Sequence, residues 1–69
     1  MNIIAIIPCR FRSKRFPGKP LALINGYPLM WYSYNQSLKS KYIKAAYIAT
    51  DDLRIKKECI KFGLNCLMT

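Results

Sequence analysis

NIIAIIPCRFRSKRFPGKP, residues 2 to 20, runs an apolar, β-branched segment straight into five cations, Arg10, Arg12, Lys14, Arg15 and Lys19. The first six residues are continuous in apolarity, which predicts a strand of a parallel sheet covered on both faces. Pro8 ends that strand, because proline has no N–H to give to a ladder. Pro8, Pro17, Gly18 and Pro20 then mark residues 8–20 as a loop. Cations packed this closely repel one another, so they either face an anion or lie in a fully solvated loop.

Downstream, Leu21 to Ile24 is apolar but too short to assign, and Asn25-Gly26 is a strong turn signal. Pro28 suits the first turn of a helix. Met30, Tyr34 and Leu38 recur at i, i+4 and i+8 and, widened by Trp31 and Tyr32, form a stripe expected to face a sheet. Ala45 to Ala49 reads as a second buried strand. Thr50-Asp51-Asp52 offers capping oxygens to a following helix, with Asp51 expected to cap rather than to bind metal. Ile55, Cys59 and Phe62 give that helix its inner face, and Gly63 stands where a left-handed C′ residue belongs. Leu64 to Met68 reads as a third strand. The order β-loop-α-β-α-β predicts an α/β fold, a Rossmann-like βαβαβ unit of parallel strands with right-handed crossovers. Two helices cannot cover three strands on both faces. Residues 1–69 therefore read as the opening half of a larger doubly wound domain.

The totals narrow the classes of function. A chain of 69 residues is one small domain at most and buries only about 60% of its unfolded surface. Twelve Lys and Arg against three Asp and Glu leave a formal charge of +9, which favours anionic partners. Lys39, Lys41, Lys44, Lys56, Lys57 and Lys61 are spaced as plain solvent-facing residues, and Arg12 and Lys14 are expected to be solvent-facing too. Cys9, Cys59 and Cys66 form no C-x-x-C pair, so reduced thiols are expected rather than a disulfide framework or a zinc site. The absence of histidine excludes a His base or ligand from this chain. No apolar run approaches the ~20 residues of a membrane span. A cytoplasmic location is expected.

In doubly wound folds, ligands sit in the crevice beyond the carboxyl ends of the strands. The basic loop falls there. Gly18 would let backbone approach an anion closely, Arg can grip phosphate oxygens in pairs, and Lys supplies a point charge. The loop is not G-x-x-x-x-G-K-[ST], since Ser13 stands at the first Gly and Pro20 follows Lys19. With glycines only at Gly18, Gly26 and Gly63, it is not G-x-G-x-x-G either. A nucleic-acid binder using the cations with Phe11 and Phe16 is a rival reading, but no RNP, helix-turn-helix or zinc pattern accompanies them.

Pro8-Cys9-Arg10-Phe11-Arg12-Ser13-Lys14-Arg15-Phe16-Pro17-Gly18-Lys19-Pro20-Leu21 resembles the opening of the sugar-acid cytidylyltransferases. The resemblance continues through Ile24-Asn25-Gly26-Tyr27-Pro28-Leu29, Ala49-Thr50-Asp51 and the terminal Met68-Thr69. Pro20-Leu21 and Met68-Thr69 are similar to the branch acting on 3-deoxy-D-manno-octulosonate (Kdo), the CMP-Kdo synthetases of lipopolysaccharide biosynthesis. Ser40 to Ile43 and Thr50 to Asp52 are also similar to the sialic-acid branch, which stays as the alternative. The resemblance implies a nucleotide-diphospho-sugar transferase-type sheet and an activity that joins a sugar acid to CTP with release of pyrophosphate. It implies that Arg10 and Lys19 contact the CTP phosphates as catalytic residues. Ser13, Arg15 and Gly18 would support the phosphate site, and Pro8 and Cys9 would border the nucleotide. Cys9 departs from the family's usual Ala, with a tight fit expected rather than a new activity. Mg2+ is the implied cofactor, with its main carboxylate, the sugar pocket and a homodimer interface all falling past Thr69. CTP and Kdo are the implied partners, with neither nucleic acid nor membrane. An inactive truncated fragment is a further reading of the 69 residues alone.

Overall fold

A computed structural model describes residues 2–12 and 18–69. Strand β1 spans Ile3–Pro8, and a 3-10 turn at Lys19–Leu21 follows the basic loop. Strands β2 (Leu23–Ile24) and β3 (Tyr27–Pro28) form a small antiparallel hairpin. Its turn is Asn25-Gly26, with φ of 52° and 84°. Two positive φ values are what a two-residue hairpin turn of this twist demands, and Asn-Gly tolerates both. Helix α1 (Leu29–Leu38), strand β4 (Ile43–Thr50), helix α2 (Leu53–Phe62) and strand β5 (Cys66–Met68) complete the chain.

The main sheet is parallel, in the order β1-β4-β5. β1 lies against β4 with Ile7 opposite Ile48, and β5 lies against β4's other edge with Cys66 opposite Ile48. Pro8 is the last residue of β1, and its pairing with Ala49 is made by the Cys9 N–H, which donates to the Ala49 carbonyl at 2.9 Å.

Burial alternates along β4: Ala46, Ile48 and Thr50 are buried while the residues between them are half-buried. The buried set packs with Met30 and Tyr34 of α1, Ile55 and Cys59 of α2, and Cys9 and Leu64 in one cluster. Both helices therefore cover the same face. Successive right-handed crossovers that step in one direction across a sheet put them there. No helix among the described residues covers the other face of β1. Ile4 and Ile6 point to the other face and are 55% and 52% exposed, and Leu67 shares that face.

Helix ends follow their sequence signals with two exceptions. α2 ends in a full Schellman motif: Gly63 has φ 71°, its N–H donates to the Ile60 carbonyl, and the Leu64 N–H donates to the Cys59 carbonyl. That motif uses Leu64, so the third strand begins at Cys66 rather than at Leu64. On α1, Met30 and Tyr34 are buried but Leu38 is 39% exposed. Leu38 is the helix's last residue, and the stripe has run past the sheet before the chain turns at Lys39. Pro28 lies just before the helix, as the last residue of β3, and is fully buried.

The six lysines predicted at the surface are all exposed. With so small a core, each fully buried aliphatic side chain contributes about 1.5–3 kcal/mol of transfer free energy. Ile48→Ala is expected to lower the unfolding free energy in urea by roughly 2–5 kcal/mol. Ile60→Ala, at a side chain 71% exposed, is expected to stay within about 0.5 kcal/mol of the parent. Equal losses at the two positions would contradict this core.

Candidate functional site

Because β1 and β4 run parallel, their carboxyl ends deliver Pro8-Cys9-Arg10 and Thr50-Asp51-Asp52 to one edge of the sheet. Among the described residues, three clefts open there. One of about 380 Å³ is lined by Arg10, Phe11, Arg12, Asp51, Asp52 and Arg54. A second, of about 180 Å³, lies across the strand ends between Pro8, Arg10, Thr50 and Thr69. The third, of about 160 Å³, has Pro8 and Cys9 on one side, Lys19 and Pro20 on another, and Met30 and Ser33 of α1 on the last.

The structure thus gathers Pro8, Cys9, Arg10 and Lys19 around the end of β1, but divides them. Arg10 lines the first two clefts and Lys19 the third, and Pro8 is a wall common to the second and the third. Both cationic side chains are exposed. Ser13 and Arg15, the other two predicted phosphate-site residues, lie outside the described residues. Arg12 is exposed as expected, yet it lines the 380 Å³ cleft.

Gly18 meets a demand different from the one its sequence context suggests. Its φ is 75°, it precedes the 3-10 turn, and its N–H donates to the Phe11 carbonyl at 2.6 Å. A Cβ at this position would stand 3.0 Å from Phe11 Cε2. The close approach that excludes a side chain here is made by the Phe11 ring. Phe11 and Gly18 are therefore the two sides of the neck of the basic loop.

Asp52, not Asp51, caps α2. Its Oδ1 accepts from the backbone N–H of Arg54 at 2.8 Å and of Ile55 at 3.4 Å, while its own N–H donates to Thr50 Oγ1. The chain needs two residues after β4 to turn into the helix, so the second aspartate reaches the capping position. The first stays exposed at the cleft. The Asp52 carboxylate also takes a two-point contact from the Arg54 side chain, Nε at 3.1 Å and Nη2 at 2.7 Å. That side-chain hydrogen bonding holds the Asp52 pKa down at about 2. It is the one ion pair among the described residues. The Arg54 guanidinium in turn lies over the Phe11 ring, 3.3 Å from its centroid. Sequence reasoning passed over Arg54. Its signal is the D-x-R spacing at a helix start, which puts a cation within reach of its own cap.

Cys9 fits as a packed side chain. It is 5% exposed, and burial, with Cys66 nearby, pushes its pKa up to about 11. Burial acts first on Cys59 as well, pushing it to about 12. Desolvation therefore outweighs the attraction of the neighbouring cations for a thiolate. The three cysteines are free thiols. No helix among the described residues is long and apolar enough to cross a membrane.

Residues 4–69 match the family profile described as Cytidylyltransferase. The chain is 49% identical over all 69 residues to the 8-amino-3,8-dideoxy-manno-octulosonate cytidylyltransferase of Shewanella loihica, and 48% identical to that of Shewanella pealeana. Among solved structures it is similar to CMP:2-keto-3-deoxy-manno-octonic acid synthetase complexed with CTP. There the TM-score is 0.88 and the identity 37% over 99% of this chain. In each case the chain spans 28% of the other protein's length.

The state of the thiols gives a direct check. In the native protein at pH 8, Cys9 and Cys59 are expected to resist alkylation by iodoacetamide, and to label readily in urea. A folded pKa raised above the ordinary 9.0 means that the thiols favour folding below that value. That contribution falls away between about pH 9 and 11, so stability should decline on the alkaline side over this window. Native-state labelling of Cys9 at the rate seen in urea would contradict its burial.

Proposed function

The chain belongs to the cytidylyltransferase family, and on that premise we propose that it forms the CTP-binding part of an enzyme that activates a Kdo-type sugar acid. The observation that carries this reading is the basic edge of the sheet, where Arg10 and Lys19 flank Pro8 beyond the end of β1. It is supported by the likeness, along nearly the whole chain, to a synthetase complexed with CTP.

The proposed reaction is a nucleotidyl transfer. The anomeric hydroxyl oxygen of the sugar acid attacks the α-phosphorus of CTP and loses its proton. The α–β phosphoanhydride bond breaks, and pyrophosphate leaves with its bonding electron pair. Such a step depends mainly on positioning and on neutralising charge at the leaving group. Arg10 offers a planar donor pair for phosphate oxygens and Lys19 a point charge. Having the two cations on either side of Pro8 lets them reach different phosphates of one triphosphate. Ser13 and Arg15 belong to the same proposed phosphate site, and Pro8 and Cys9 border the nucleotide. The Cys9 N–H is already given to Ala49, so its contribution is shape. The formal charge of +9 adds long-range attraction for the nucleotide.

Mg2+ is proposed as a companion of the CTP phosphates rather than as an ion this chain holds. Among the described residues no three metal-ligating side chains cluster, and Asp52 is committed to Arg54 and to its cap. In this reading the whole enzyme is a cytoplasmic homodimer serving lipopolysaccharide synthesis, with no nucleic-acid partner.

Two experiments test the proposal. Titration of the 69-residue chain with CTP should show saturable binding that weakens at least tenfold in Arg10→Ala and in Lys19→Ala, and is unchanged in Lys57→Ala. A chimera in which residues 1–69 replace the matching segment of the Shewanella loihica relative should release pyrophosphate from CTP with Kdo or its 8-amino analogue. Release with neither sugar acid would overturn the reading.

A further inference from the structure

Phe11 and Gly18 hold the two ends of the basic loop together, and they are the immediate neighbours of Arg10 and Lys19. Whatever fixes Phe11 therefore fixes the separation of those two cations. The Phe11 ring is itself only half-buried. Its core side packs against the central cluster, and its other neighbour of note is the Arg54 guanidinium at 3.3 Å.

We propose that Arg54, oriented by Asp52, is a positioning residue that clamps the neck of the basic loop through Phe11 and so sets the spacing of Arg10 and Lys19. The part of this inference that concerns phosphate rests on the CTP reading above.

Three observations carry it. First, the Arg54 side chain is 58% exposed, and a long side chain in water keeps one orientation only when several contacts hold it. Arg54 has them: a two-point grip on the Asp52 carboxylate and a guanidinium placed 3.3 Å over the Phe11 ring centroid. Second, Asp52 is fixed by the helix it caps, accepting from two backbone N–H groups and donating its own N–H to buried Thr50. The clamp is thus anchored to the end of β4 and the start of α2, the rigid elements of the fold. Third, the contact between Gly18 and the Phe11 ring is tight. The ring fills the space that a Gly18 side chain would take, and the Phe11 carbonyl holds the Gly18 N–H. A direct phosphate contact by Arg54 is the rival role. Its charge is already matched by Asp52 and one face of its guanidinium is covered by the ring, which argues for positioning instead.

The test uses the 69-residue chain with Arg54→Ala, Phe11→Leu and the double variant. None of these removes a fully buried side chain. Hydrogen exchange of the Gly18 amide should quicken about fivefold in each single variant, the scale expected of one exposed cation–π contact. The double variant should exchange no faster than the singles, since both remove one interaction. The Cys59 and Ile60 amides, inside α2, should keep their protection. Binding of CTP and of pyrophosphate should weaken roughly fivefold in Arg54→Ala, while CMP binding is unchanged, because only the outer phosphates need both cations.

An unaltered Gly18 amide in Arg54→Ala, or additive effects in the double variant, would overturn the clamp. Equal weakening for CMP and CTP would reduce Arg54 to a general structural residue and overturn its role toward phosphate. A parent chain that binds no CTP would sink the nucleotide reading instead. In that case the Gly18 amide still decides the clamp.

Discussion

The parallel pairing of β1 with β4 is the constraint on which the rest depends. It sends both carboxyl ends to one edge, so a loop after the first strand and a helix start after the second must meet. Pro8 can close β1 without costing that pairing a bond, because the Cys9 N–H donates to the Ala49 carbonyl and the Pro8 nitrogen is turned to the strand's other edge. The same residue turns its thiol into the core. One position thus ties the ladder, fills space under the loop and starts the run that carries Arg10. A side chain slightly larger than alanine is accommodated there at 5% exposure, as its reading as a tight fit anticipated.

Much of the fold was legible because local chemistry and global packing agree. Asn25-Gly26 and Gly63 sit at positive φ, which few other residues accept. Met30 with Tyr34, and Ile55 with Cys59, place their buried side chains where a period of 3.6 puts them. The misreadings come from geometry that spacing does not encode. Leu38 continues a perfect stripe, yet the helix outruns the sheet beneath it. Asp51 and Asp52 are adjacent and chemically alike, and only the width of the turn out of β4 decides which one caps.

The candidate site was legible to a different degree. Loop position and the spacing of Arg10, Gly18 and Lys19 pointed to the carboxyl edge, where the structure places them. The support behind them was not visible, because it comes from a remote part of the chain. Arg54 looks like one more surface cation in a chain with a large excess of them. Its difference lies in being matched: a carboxylate on one side and a ring on another give it a single place. The six surface lysines pair with no carboxylate among the described residues, and only Lys41 and Lys61 lie over a ring, at 5.2 and 5.5 Å from its centroid, so most of their charge acts at a distance.

The sheet has one further property. Its strands are spatial neighbours in the order in which they occur in the chain. Each βα unit can therefore add to the edge made by the unit before it, and no strand has to be inserted between two that are already paired. Loop closure is confined to single crossovers, which keeps its entropic cost low and the contacts comparatively local. A ribosome releasing this chain would deliver β1, then α1 with β4, then α2 with β5, each into a place that already exists.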